Sequence, residues 1–309
     1  MGTGLNRVRP PGRAAPIALG IALAMLVGCR GAGEYTDSIA PLWWRQNPWG
    51  PEAEAARHSG TLPRVPYHPD MAAWEAFARD HLRTGDILFR EADARVLGGL
   101  FPFSRVAGAI ADCRYTHTGI LAWERGEPVV YDTSMGGARR QPLGVWVLDN
   151  VGHLGIKRPR PEHQHVVPGV IAFCRSVYER QVPFDAKLEL GDSHFYCAEM
   201  TSRAFEHAGL PLARPIRMGD LPAIGEHRAV FLLARLLASF HPDQRMYAPG
   251  NDRFGLWSSP ELVPVYVAED GTRPDPGGLV AWPSAQGFPV GGAGWQSGAD
   301  FGAAPVPAR

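Results

Sequence analysis

Two apolar runs, Thr118 to Trp123 and Val129 to Thr133, flank the segment Glu124-Arg125-Gly126-Glu127. Strand-like runs joined by so short a polar, glycine-bearing segment commit the middle of the chain to a β-hairpin. With Arg125 and Gly126 as the turn pair, counting outward sets Asp132 opposite Gly119. Side chains alternate faces along a strand, so His117, Gly119 and Asp132 share one face. Asp132 is then a diagonal neighbour of His117, a separation that side chains bridge. A slip of one residue would bring Tyr131 or Thr133 to that face instead.

Other elements gather around this hairpin. Met71 to Leu82 carries Trp74, Phe77, Ala78 and Leu82 at helical spacing. Thr84-Gly85-Asp86 is a turn signal, and Ile87-Leu88-Phe89 a short apolar strand. Val145 to Leu148 and Ile156 read as further short strands. From Val166 to Arg180 apolar residues recur near helical spacing, with Pro168 suited to the first turn. Cys197 to His207 is predicted as a helix, closed by Gly209 and then Pro211. Val230 to Phe240 is strand or buried helix, which periodicity does not separate. Residues 30 to 70 hold Trp43, Trp44 and Trp49 among many prolines and glycines and read as an irregular lead-in. Those tryptophans are expected to cover the domain in preference to touching a membrane. The last forty residues, rich in Gly and Pro, read as a disordered or draped tail.

The N-terminus has a different character. Arg7, Arg9 and Arg13 precede an apolar run from Ala14 to Val27 that ends in Leu26-Val27-Gly28-Cys29. The run is too short and too rich in small residues for a comfortable membrane span, and suits a signal-peptide core. Its end resembles a bacterial lipobox, which implies lipidation of Cys29. An ordinary signal peptide with an incidental cysteine, or an uncleaved anchor, is the alternative. Arg30, in place of an acidic residue after the cysteine, implies the outer membrane facing the periplasm. The expected layout is a signal peptide at 1–28, a tether at 29–80, the main domain at 81–268 and the tail at 269–309. The formal net charge of zero, with no basic stripe, argues against a nucleic-acid partner. Without Cys29 the chain keeps Cys113, Cys174 and Cys197, an odd number that leaves at least one thiol unpaired in an oxidising compartment or bridged to another molecule. Cys113 and Cys174 either pair or are buried and inert.

Two segments carry chemistry. Tyr115-Thr116-His117-Thr118-Gly119-Ile120-Leu121 places a histidine at the head of a strand, and Phe195-Tyr196-Cys197-Ala198-Glu199-Met200 a cysteine at the start of a helix. A helix N-terminus favours the thiolate through its unpaired backbone N–H groups. A neighbouring imidazole lowers the thiol pKa further and protonates the leaving group. Backbone N–H groups there also suit an oxyanion hole, with Tyr196 and Thr116 as lining residues. Asp132 is the candidate to orient the imidazole. Glu199 reads as a first-turn charge complementing the helix dipole, and Asp86 and Asp185 as turn residues.

The order His-x-Gly-Ile, then Asp132, then Tyr-Cys-x-Glu resembles the permuted papain-like amidases of the NlpC-type superfamily, in their YaeF/YiiX-like branch. Thr84-Gly85-Asp86-Ile87-Leu88-Phe89 and Pro183-Phe184-Asp185 extend the resemblance to residues 80–235. It implies an α+β fold, a small antiparallel sheet packed against helices with the cysteine helix beneath. It also implies a cysteine hydrolase with Cys197 as nucleophile, His117 as base and Asp132 as third member, where many relatives carry Glu. No cofactor is implied. The expected substrate is an acyl compound, a cell-wall-type peptide amide or else a lipid ester, with the membrane contacted through the N-terminal lipid. Phe101, Phe103, Trp123, Phe195 and Tyr196 suit an acyl pocket as well as a core. Three rivals stand beside this reading. They are a serine esterase using Ser193, a metal site drawn from His153, His163, His165, His194 and Cys197, and a binding lipoprotein on an inactive scaffold.

Overall fold

In the computed structural model, the structure describes residues 47–92, 104, 108–109, 111–221, 224 and 241–280. The expected signal peptide, Cys29, Trp43, Trp44, Phe101, Phe103, the segment Val230 to Phe240 and most of the expected tail lie outside the described residues.

The hairpin is the centre of the molecule. Strand β2 (His117–Glu124) and strand β3 (Glu127–Ser134) pair antiparallel, with Glu124 opposite Glu127 and Ile120 opposite Tyr131. Arg125 and Gly126 take positive φ of 51° and 82°, the turn geometry that matches strand twist. The register is the one counted from the sequence. Strand β1 (Ile87–Ala92) lies along β2, with Arg90 opposite His117. Strand β4 (Gly137–Pro142) lies along β3, with Arg139 opposite Asp132. Strands β5 (Asn150–Pro159) and β8 (Leu262–Ala268) complete an antiparallel sheet in the order β4-β3-β2-β1-β5-β8.

Alternation along the strands gives the sheet two apolar faces. Ile87, Phe89, Ile120, Ala122, Val129 and Tyr131 face helices α4 (Val167–Glu179) and α5 (Cys197–His207). The α4 stripe of Val170, Ile171, Cys174 and Val177, at three- and four-residue spacing, fills that layer. Leu88, Leu121, Val130 and Ile156 face helices α2 (Pro69–His81) and α3 (Leu143–Leu148), meeting Trp74, Phe77, Trp146 and Val147. The α+β architecture, with the cysteine helix under an antiparallel sheet, is as the sequence implies. Among the described residues no helix is long and apolar enough to cross a membrane.

Two details correct the sequence reading, and a third decides an alternative that it left open. Val145 to Leu148 is not a strand but part of α3. Tertiary packing overrides the β-branched valines there, because every residue from Leu143 to Val147 is buried. The lead-in is not wholly irregular, for Pro51–His58 forms helix α1. Trp49, just before it, is buried with Arg57 over its ring at 4.2 Å. Cys113 and Cys174 are both free thiols, so the pairing left open by the sequence is not made.

Candidate active site

The site lies where the start of α5 meets the start of β2. Cys197 opens its helix behind an extended Tyr196 that makes no side-chain cap, so the first-turn N–H groups have no capping oxygen. The thiol is half-buried. Its sulfur lies 4.0 Å from the Thr116 carbonyl oxygen and interacts with the Thr118 N–H and the His117 ring. The helix is held to the strand beside it by the Thr118–Thr201 hydroxyl contact at 3.0 Å.

His117 points to the opposite face of the sheet from Thr118, the face it shares with Asp132. Its Nε2 lies 2.6 Å from Asp132 Oδ2, which leaves Nδ1 as the nitrogen for Cys197. Asp132, 1% exposed, is surrounded by donors. Arg139 Nε donates to Oδ1 at 2.9 Å and Arg139 Nη2 to Oδ2 at 2.7 Å, a bidentate fork. Trp146 Nε1–H donates to Oδ2 at 2.8 Å. The buried Arg90, opposite His117 on β1, stacks over the Trp146 ring at 4.3 Å and lies 3.4 Å from Asp149. The glycine of His-x-Gly-Ile has a steric reason in this layer. A Cβ on Gly119 would stand 2.5 Å from Val130 Cγ1 and 3.2 Å from the Trp146 indole nitrogen.

The electrostatics follow from this geometry. Burial would raise the Asp132 pKa, yet the Arg139 charge and the hydrogen bonds from His117 and Arg139 hold it far below the usual carboxylate range. Burial would lower the His117 pKa. The Cys197 thiolate and the Asp132 hydrogen bond outweigh burial and the opposing Arg90 charge, and hold the imidazole above its ordinary value. Burial would raise the Cys197 pKa, and the His117 charge with its hydrogen bond, helped by the Thr118 N–H, brings the thiol below its ordinary value. Both directions favour a thiolate–imidazolium pair. Burial does the reverse for the other free thiols. It pushes Cys113 up to about 11 and Cys174 far above the thiol range.

Thr116 Oγ1 accepts the Ala92 N–H at 2.9 Å, so what it offers Cys197 is its carbonyl. The Tyr196 hydroxyl accepts the Tyr247 N–H at 2.6 Å, with the ring in the core. Phe195 is likewise a core residue, and Trp123, near the far end of β2, donates to the Leu82 carbonyl. Ser193 touches His194 Nδ1 at 2.9 Å, and both are exposed. Asp86 ties the turn before β1 to β5 through Arg158 at 2.7 Å. The Asp185 carboxylate accepts the Lys187 N–H at 2.8 Å, as a turn residue does.

Sequence reasoning missed Arg139, Trp146 and Arg90. A signal existed for Arg139, since a second turn at Met135-Gly136 sets it opposite Asp132. Glu199 stands in the first turn of α5, as the sequence reading has it, but it is 0% exposed, which the sequence did not signal. Its Oε1 accepts the Gly191 N–H at 3.0 Å, and its Oε2 has no hydrogen-bond partner among the described residues. Burial, reinforced by Asp185 and Asp192 and opposed by the Gly191 N–H and Arg203, pushes this carboxyl up to about 7.

No family model matches the chain, and neither does any curated protein. Among solved structures, the fold matches the crystal structure of metalloprotein yiiX from Escherichia coli O157:H7, DUF1105, with a TM-score of 0.50 and 16% identity, over 59% of this chain and 96% of that one. The fold is papain-like, of the YiiX type. At that identity the likeness to YiiX speaks for the fold alone. The word metalloprotein belongs to YiiX. Here, among the described residues, no three His, Cys, Asp or Glu side chains gather to hold an ion. His163 is paired with Glu261 at 2.7 Å and His153 with Glu269 at 3.0 Å.

Proposed function

We propose that this chain is a cysteine hydrolase that transfers an acyl group from an amide to water. The observation that carries the reading is the line from Asp132 through His117 to Cys197, with the imidazole pKa raised, the thiol pKa lowered and the thiol half-exposed. The Cys197 sulfur attacks the acyl carbon, forming the C–S bond. The carbonyl oxygen becomes an oxyanion beside the uncapped N–H groups that open α5. Nδ1–H of His117 protonates the leaving nitrogen as the C–N bond breaks. The now neutral imidazole takes a proton from water, which attacks the thioester and returns the thiolate. Asp132, held by Arg139 and Trp146, fixes the ring so that Nδ1 faces sulfur throughout.

The substrate class we propose is a peptide-type amide of the kind found in cell walls. A cavity of about 340 Å³ includes Thr116, whose carbonyl touches the sulfur, and is lined by Glu91, Asp112, Arg114, His153 and Asn251. Such walls suit polar, charged groups better than an acyl chain. Anchoring by a lipid on Cys29, at the outer membrane and facing the periplasm, completes the proposal on sequence grounds.

The test is the pH dependence of Cys197 alkylation in the full chain, read on its own peptide by mass spectrometry, beside His117→Ala. Rapid labelling with an apparent pKa below the ~8.5 of a free thiol, lost in the variant, is expected. Slow labelling in the wild type, unchanged in the variant, would overturn the reading.

A further inference from the structure

A second, two-stranded sheet stands apart from the main one. It pairs β6 (Ile216–Arg217) with β7 (Arg245–Met246) in an antiparallel ladder that sets Arg217 opposite Arg245. Like charges directly opposite on paired strands destabilise the pair. A third guanidinium, Arg214, precedes β6, and all three arginines are exposed. Together with Asp220 they line a hollow of about 570 Å³ whose apolar wall is Pro215, Ile216 and Phe254. Arg217 is bridged to Asp243. Among the described residues, neither Arg214 nor Arg245 has a carboxylate within ion-pair distance.

Charge and shape together point to one kind of occupant. Three guanidiniums face the two carboxylates Asp220 and Asp243, an excess of one positive charge. A single phosphodiester carries one negative charge, whereas free inorganic phosphate carries more near neutrality. The planar fork of arginine matches phosphate oxygens two at a time. A half-buried wall of Ile216, Pro215 and Phe254 beside those forks has no use for a fully hydrated anion, but would receive the glycerol and first methylenes of a lipid. We propose that this hollow is a headgroup site for an anionic phospholipid, with Arg214 and Arg245 on the phosphodiester and Phe254 against the apolar stem. The site is independent of the catalytic reading and of the lipid expected on Cys29. It would set how the domain sits against a membrane surface.

The experiment titrates the full chain with dihexanoyl phosphatidylglycerol below its micelle concentration, followed by calorimetry. Dihexanoylglycerol and inorganic phosphate are the comparison probes. The phosphatidylglycerol is expected to bind, the uncharged lipid not to, and the phosphate to bind more weakly. Arg214→Gln and Arg245→Gln should each weaken binding by about fivefold, the usual worth of one basic side chain at an anionic headgroup. Arg245→Lys should recover part of that loss, because it restores the charge without the fork. The variants' unfolding transitions and Cys197 alkylation rates check that the rest of the molecule is unchanged. Inorganic phosphate binding as tightly as the lipid and lost in Arg245→Gln would make this a free-phosphate site and overturn the lipid assignment. Lipid affinity indifferent to both glutamine variants would overturn the site itself.

Discussion

Glu199 offers the sharpest quantitative test, because a buried carboxyl that titrates near neutrality leaves a signature in stability. Its pKa stands at about 7 in the folded protein against an ordinary 4.5. The folded state therefore binds more protons than the unfolded state between those two values, and stability falls as pH rises through that window. Below pH 4.5 the carboxyl is neutral in both states and has no effect. Above about pH 7 the penalty is fully present and constant. Each pH unit within the window removes about 1.4 kcal/mol, so ionised Glu199 costs roughly 3 kcal/mol at pH 8. Glu199→Gln keeps the carbonyl oxygen that accepts the Gly191 N–H and removes the ionisation. The groups that face this carboxyl, Arg203, Asp185 and Asp192, are present in both proteins, so their titration largely cancels in the comparison. Urea unfolding followed by tryptophan fluorescence, from about pH 5 to about pH 8, should show wild type losing about 2 to 3 kcal/mol relative to the variant. Parallel profiles would mean that the buried carboxyl does not titrate in this range, and the assignment of burial as the dominant cause would be wrong.

Three further substitutions probe the layer beneath the imidazole. Asp132→Asn breaks the buried pair in which Arg139 forks this carboxylate, and should cost about 3 to 5 kcal/mol in urea unfolding while slowing Cys197 alkylation at neutral pH; wild-type stability would show the network to be incidental. Trp146→Phe removes one donor to Asp132, so it should lower stability by about 1 to 3 kcal/mol and reduce alkylation less than Asp132→Asn does. The reverse order would place the orienting function on the indole. Gly119→Ala drives a methyl against Val130 and Trp146 and should cost about 1 to 3 kcal/mol, read as a fall in the thermal midpoint; an unchanged midpoint would mean that α3 yields freely.

What the sequence disclosed depended on how much of each signal was local. The β2–β3 register was countable because a two-residue turn at Arg125-Gly126 leaves one antiparallel pairing, and from it the nearness of Asp132 to His117 followed. The α5 boundaries were legible because Gly209 and Pro211 close a helix whose first residue is the cysteine. Strand β4 was not, since Gly137-Ala138-Arg139-Arg140-Gln141-Pro142 has almost no apolar alternation, and its arginines face buried or paired carboxylates instead of water. Helix α3 was misread because six largely apolar residues carry no period, and only packing on α2 decides their conformation. Helix α1 buries only Ala53 and so shows no stripe. The burial of Glu199 had no local sign at all, because the partner that draws it inward is a backbone N–H eight residues earlier.

The proposed base, the carboxylate beside it and the side chains that brace that carboxylate all come from the continuous stretch His117 to Trp146. Only the proposed nucleophile arrives from elsewhere, on a helix that packs through an apolar stripe and is pinned to β2 by the Thr118–Thr201 hydroxyl contact. The site is thus a joint between two separately built parts, one supplying a pre-aimed imidazole and the other a sulfur at the tip of a rod. Which part is translated first is immaterial to the joint, so natural rearrangements of chain order can leave it intact. The same division makes the connection between β5 and α5 a natural seam for a split protein, whose two fragments would regain the thiolate–imidazolium pair by reassembling the apolar layer between sheet and helices.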